Sequence, residues 1–206
     1  GGFASVNALL PIGESLTPEG SPVPSDSPCV AGQSWRWEGV GFRFLHPTRH
    51  FPYLGNEASC VLRIETEHGA VLLTGDIGDV IERELLRRDP SSLRAEVVLA
   101  AHHGSSGSSD PGFVAATGAR LALVSAGFAN RFGHPKRVVV NRWQGHGAEV
   151  LNTADSGAIR LWLGGQGLQL RERRNDQARL WDAVRLRRAA TLSYRPANER
   201  PRVPED

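Results

Sequence analysis

Between residues 74 and 135 the chain repeats one arrangement three times: a short apolar run, a polar tip, then a glycine or proline turn. Residues 70–73 run into Thr74-Gly75-Asp76, residues 97–101 into His102-His103-Gly104-Ser105, and residues 121–124 lead on to Asn130-Arg131-Phe132-Gly133-His134-Pro135. Wholly apolar runs of this length, bounded by turn signals, read as buried strands. The segments between them carry helix signals: Val80, Ile81, Leu85 and Leu86 at helical spacing within 79–88, and Asp110-Pro111 as N-cap and first position of a short helix over 110–118. Strands joined through helices lie parallel, so their ends gather at one rim of a sheet. One carboxylate and three imidazoles are thereby expected at that rim.

The flanking sequence completes the sheet. Residues 35–37 and 40–44 alternate around Glu38-Gly39 and predict a β-hairpin ended by His46-Pro47. Residues 59–66 and 70–73 predict a second hairpin, turned at His68-Gly69. Residues 1–12 read as a helix end and a short strand, 13–34 as a long Gly-, Pro- and Ser-rich loop, and 48–57 as another loop. A helix over 135–145 and strands near 150–151, 158–163 and 168–170 follow. Hairpins, then crossovers, then a meander argue for a mixed α/β (α+β mixed) fold rather than a simple doubly wound sheet. The main domain is expected to span residues 1–172. Residues 173–206 form an Arg-rich region with a helix over 175–190 and a disordered, proline-rich end.

Composition limits the alternatives. With 206 residues, 40% hydrophobic and 22% charged, the chain can bury a real core. No apolar run approaches the roughly 18–20 residues that span a bilayer, and Gly1-Gly2-Phe3-Ala4-Ser5 is no signal peptide. The absence of methionine, with glycine first, reads as a piece cut from a longer protein. Net charge is only +2, but Lys136 is the sole lysine among 24 cationic residues. Arginine favours bidentate phosphate contact, although a GC-rich genome produces the same bias. Cys29 and Cys60 leave open a disulfide, two buried thiols or metal ligation; a disulfide would imply an oxidising compartment.

Each candidate site residue has a functional and a structural reading. Asp76 is either a metal carboxylate or an N-cap for the helix after Gly78. His102 and His103 diverge in an extended chain and serve one site only if the backbone turns, which Gly104 permits. Ser105, Ser106, Ser108 and Ser109 offer hydroxyls to a phosphate or simply form a loop. His134 stands at the mouth of a helix begun by Pro135, with Asn130 and Arg131 in reach of a ligand or phosphate. His46, His50, His68 and His146 read as structural, and Asp155 as a turn residue with general acid as the other reading. Imidazole with carboxylate suits zinc or manganese.

Several stretches, taken in order, resemble the C-terminal metallo-β-lactamase-like domain of the DNA-internalisation competence family, ComEC. They are Trp35-Arg36-Trp37-Glu38-Gly39-Val40, Leu45-His46-Pro47, Asn56-Glu57-Ala58-Ser59-Cys60-Val61-Leu62, Leu72-Leu73-Thr74-Gly75-Asp76-Ile77, His102-His103-Gly104-Ser105, residues 130–135 and Gly157-Ala158-Ile159. The resemblance covers roughly residues 35–163 and implies an αββα sandwich, N-terminally truncated. It implies a divalent-metal phosphodiesterase or nuclease that degrades the non-transported DNA strand during transformation. On that resemblance the intact domain holds two zinc or manganese ions. Asp76, His102, His103 and His134 are then the metal residues, with Asp76 and His103 catalytic. Asn56 occupies a loop where relatives of the fold carry a metal-binding histidine, and Ser59 stands beside it in the second shell. Ser105, Asn130 and Arg131 would meet the substrate.

The implied partners are single-stranded DNA and the remainder of a membrane channel protein in the same chain. The parent would sit in the inner membrane, with this domain periplasmic or otherwise extracytoplasmic; a Cys29–Cys60 disulfide would agree. The fold's first metal motif, His-x-His/Asp-x-Asp-His, normally precedes a Gly-Gly pair. Since this chain opens on Gly1-Gly2, it is expected to start just after that motif, hold half a site and be inactive alone. Two other functions compete: a non-catalytic DNA-binding module and a hydrolase of another phosphate ester.

Overall fold

A seven-stranded mixed sheet, in which strands consecutive in sequence pair side by side, organises the computed structural model, which describes residues 2–177, Arg179 and Asp182. Residues 1–12, expected as a helix end followed by a short strand, supply α1 (Phe3–Leu9) and, among the described residues, no strand. The following loop contains only a short parallel pairing of β1 (Leu16–Thr17) with β2 (Ser27–Pro28).

β3 (Ser34–Trp37) and β4 (Val40–His46) make the first hairpin. Glu38 and Gly39 both take positive φ, 48° and 83°, the geometry a two-residue hairpin turn demands. β5 (Val61–Thr66) and β6 (Gly69–Leu73) form the second hairpin, antiparallel to β4. From β6 onward the sheet is parallel: α2 (Asp79–Arg88) leads to β7 (Val97–Leu99), α3 (Pro111–Thr117) to β8 (Leu121–Val124), and α4 (Arg137–Gly145) to β9 (Glu149–Asn152). The expected cap of α3 is present. The Asp110 carboxylate accepts from the Gly112 and Phe113 N–H groups at 2.9 and 3.2 Å, and left-handed Gly118 ends the helix.

Register sorts the strand residues into two faces. Leu72, Val98 and Ala122 lie side by side and are fully buried under Ile81 and Leu85 of α2, Phe113 and Val114 of α3, and Val139 and Trp143 of α4. On the opposite face Leu73, Leu99 and Leu123 are half-buried. The core therefore sits between the sheet and α2–α4. The mixed α/β expectation holds. A separate two-stranded sheet is the antiparallel hairpin of β10 (Ile159–Gly164) and β11 (Gly167–Glu172). It follows a single turn, α5 (Thr153–Ser156), which carries the exposed Asp155. After β11 comes one turn, α6 (Arg173–Asp176); most of the helix expected over 175–190, and all of 196–206, lie outside the described residues.

Cys29 and Cys60 are joined in a disulfide, which resolves the three readings of that pair. The bond ties the early loop to the residue just before β5.

Candidate functional site

The parallel strands β6, β7 and β8 all end at the same edge, and β5, antiparallel to β6, begins there. Asp76 follows β6, His102 and His103 follow β7, His134 lies beyond β8, and Asn56 and Ser59 precede β5. Topology alone thus delivers all six residues to one rim.

Asp76 does not cap α2. Gly78 takes the N-cap position, without any side-chain cap, and the Asp76 carboxylate instead points across the rim to His103. The turn before it is tightly set: Gly75 has φ +59°, and a Cβ there would stand 2.7 Å from the Ser59 Cβ. Ser59 links two loops, since its hydroxyl donates to the Asn56 carbonyl at 2.7 Å and accepts from the Asp76 N–H at 3.2 Å.

The backbone turns at both adjacent histidines, the condition under which they could serve one site. His102 and His103 have φ of 50° and 56°, inside a 3-10 turn over Ala101–Gly104. Left-handed backbone is uncommon in non-glycine residues and is held here by context. His102 N–H donates to the Gly75 carbonyl at 3.1 Å, and Lys136 N–H donates to the Gly104 carbonyl at 2.8 Å.

His103 has a defined tautomer. Its Nδ1 lies 2.6 Å from the Ser125 carbonyl just past β8; a carbonyl only accepts, so Nδ1 carries the proton. In the neutral form of this tautomer Nε2 carries the lone pair, and it lies 3.5 Å from Asp76 Oδ1. Two acceptors at that distance call for a cation between them, either a proton or a metal ion. Donors bonded at about 2.0–2.1 Å to one tetrahedral ion stand roughly 3.3–3.4 Å apart, so the pair fits two positions of such a shell. Both side chains are reachable from solvent, at 49% and 38% exposure.

The wider set does not close on one ion. The Asn56 amide donates to His102 Nε2 at 3.3 Å, which occupies the lone pair His102 would offer. The His134 ring lies edge-on to His102 at 6.3 Å between centroids. Its Nδ1 is buried without a hydrogen-bond partner. Desolvation, helped by the Lys136 charge and the two neighbouring histidines, lowers the His134 pKa, which keeps that ring neutral at pH 7. Among the described residues no three His, Cys, Asp or Glu side chains converge to hold a metal.

The polar residues expected to meet substrate divide. Asn130 spends its amide inside the loop: Nδ2 donates to the Gly127 and His134 carbonyls, and Oδ1 accepts from the His134 N–H. Ser108 and Ser109 are buried; Ser108 Oγ donates to the Ala101 and Ser105 carbonyls, and Ser109 Oγ accepts from Trp143 Nε1. Ser105 Oγ accepts from the Gly107 N–H at 3.4 Å. Arg131 places its guanidinium 4.7 Å from the centroid of the Phe132 ring.

Of the remaining histidines, His46 is fully buried, packs edge-on against Phe51 and lies 2.8 Å by Nε2 from the Glu57 carbonyl, as a structural residue should. Sequence reasoning passed over Glu57, whose carboxylate accepts from the Gly78 N–H at 3.1 Å, and Glu82, which is fully buried. Glu82 had a legible signal: it stands on the inward stripe of α2 between Ile81 and Leu85.

The molecule is thus a mixed α/β protein with an acid–imidazole cluster at the carboxyl ends of its parallel strands. No protein-family model matches the chain, but individual relatives do. It is 38% identical over 139 residues to Competence protein ComA of Neisseria gonorrhoeae, covering 68% of this chain and 20% of that protein. It is 36% identical over 118 residues to ComE operon protein 3 of Bacillus subtilis, covering 57% and 15%. Recombination protein 2 of Haemophilus influenzae is 28% identical over 163 residues, covering 78% and 20%. The chain belongs to the ComEC family. It spans about a fifth of the length of the relatives it matches.

Proposed function

We propose that this chain contributes to the hydrolytic site of a competence protein that cleaves phosphodiester bonds of DNA, removing the strand that is not taken up. The observation that carries the reading is the opposed pair of acceptors, Asp76 Oδ1 and His103 Nε2, 3.5 Å apart on an accessible rim with the His103 tautomer fixed by Ser125. Such a pair holds a cation and leaves its remaining face to an anionic substrate. A divalent ion bound there, zinc or manganese, would act as a Lewis acid toward phosphate and lower the pKa of its water. His102 and His134, neighbours of that pair, add imidazoles beside the place a phosphate would occupy. The parent's membrane channel and an extracytoplasmic location belong to the same proposal, and the Cys29–Cys60 disulfide supports the latter.

The test is cleavage of single-stranded DNA by the full-length protein with manganese or zinc, compared with Asp76→Ala and His103→Ala. Metal-dependent cleavage lost in both variants is the expected result. Cleavage that survives both substitutions removes the reading. If the metal-loaded protein binds DNA but leaves it intact, the DNA-binding module takes its place.

A further inference from the structure

Phe132 is an aromatic side chain at the rim that the cluster itself does not explain. It is 58% exposed, beside the half-buried ring of His134. Its ring is stacked on His134, with centroids 5.7 Å apart and planes within 13° of parallel. The Arg131 guanidinium lies against the same ring, and the Lys136 ammonium donates to the Phe132 carbonyl at 2.6 Å. Among the described residues no carboxylate pairs with Arg131 or Lys136. An ammonium has three donors, so Lys136 keeps others for a ligand.

The loop is set before any ligand arrives. Asn130 fixes both ends of the turn through its amide, and the Gly133 N–H donates to the Asn130 carbonyl at 3.0 Å. An exposed ring on a preorganised loop loses little freedom when something stacks on it.

We infer that Phe132, with the cations of Arg131 and Lys136 beside it, is a stacking platform for a nucleobase of a single DNA strand next to the Asp76–His103 pair. The inference rests on the proposed DNA substrate and adds the means by which the strand is held. An exposed ring with a guanidinium over it and an ammonium at its backbone matches a base flanked by its backbone phosphates, since bases stack on aromatic rings and on guanidinium planes alike. Only an unpaired base offers its face to a side chain, because duplex bases are covered by their neighbours. The platform therefore selects single strands by shape and tolerates any base sequence.

Binding without cleavage separates this from the hydrolase reading. Fluorescence anisotropy in EDTA compares a labelled oligothymidylate with an abasic oligomer of equal length and charge, for the wild-type protein, Phe132→Ala and Phe132→Trp. Stacking on an aromatic side chain changes affinity by roughly 5- to 160-fold per base. Wild type is expected to prefer the base-bearing strand by a factor in that range. Phe132→Ala should lose the preference while holding the abasic strand as before, and Phe132→Trp should keep it. Equal binding of both strands by wild type overturns the inference, as does a preference that survives in Phe132→Ala or an equal loss on both strands. Strands bound through their bases but never cut in metal would sink the hydrolase reading and leave the platform standing.

Discussion

Glu82 is a carboxylate whose protonation should be visible in the stability of the whole fold. It is fully buried in α2 and accepts from the Ser109 and Asp110 N–H groups at 2.8 and 2.6 Å. Burial pushes its pKa up to about 7 from 4.5; the two N–H donors oppose the rise, and the nearby Asp110 and Asp79 charges add to it. The folded chain holds this proton until about pH 7, whereas the unfolded chain releases it near 4.5. Between those values the folded state binds more protons, so stability must fall as pH rises. At 1.36 kcal/mol per pH unit the whole effect is about 3 kcal/mol, of which about 2.5 kcal/mol falls between pH 5 and 8.

His46 and His134 have lowered pKa values and act in the opposite sense, losing stability as pH falls. Their contribution cancels when wild type is compared with Glu82→Gln, which keeps an acceptor and cannot titrate. Urea unfolding of both proteins at pH 5, 6, 7 and 8 supplies the comparison. The wild-type advantage over Glu82→Gln should shrink by about 2.5 kcal/mol across that range. Parallel stability profiles would refute the reasoning and mean that Glu82 is ionised in the fold throughout.

Three further outcomes are expected. Reducing the Cys29–Cys60 bond, with its separation of 31 residues, should lower unfolding free energy by about 3–4 kcal/mol in urea titrations, and Cys29→Ser/Cys60→Ser should be insensitive to reductant. Gly75→Ala places a Cβ 2.7 Å from Ser59 at a positive φ, so thermal unfolding should show a loss of about 1–3 kcal/mol; an unchanged Tm would contradict the close approach. Asn130→Ala removes the amide that closes the His134 loop, and hydrogen exchange at the His134 N–H should accelerate by at least about tenfold, the equivalent of one lost hydrogen bond.

Much of the scaffold was legible because its signals are local. The apolar runs at 97–99 and 121–124, the Glu38-Gly39 turn and the Asp110-Pro111 cap each depend on a few neighbouring residues, and each appears where the pattern puts it. The convergence of Asp76 and the histidines was also legible, since strand ends in a parallel sheet share an edge. The contacts within that rim were not. Whether Asp76 capped α2 or faced His103 depended on the turn at Gly75 and its contact with Ser59, 16 residues away in sequence. The turn at His102 and His103 is made by left-handed backbone at both residues, which no propensity encodes. Asn130, expected to meet substrate, is consumed by its own loop, because an amide can satisfy backbone donors and acceptors at once.

The rim is built from loops that end or begin different strands and hold one another. The Asp76 and Gly78 N–H groups donate to the Ser59 hydroxyl and the Glu57 carboxylate, the His102 N–H to the Gly75 carbonyl, and the Lys136 N–H to the Gly104 carbonyl. No loop set this way changes alone. Change in such a protein is concerted: the sheet stays fixed, and a residue exchanged in one loop demands an answering exchange in the loop it is bonded to.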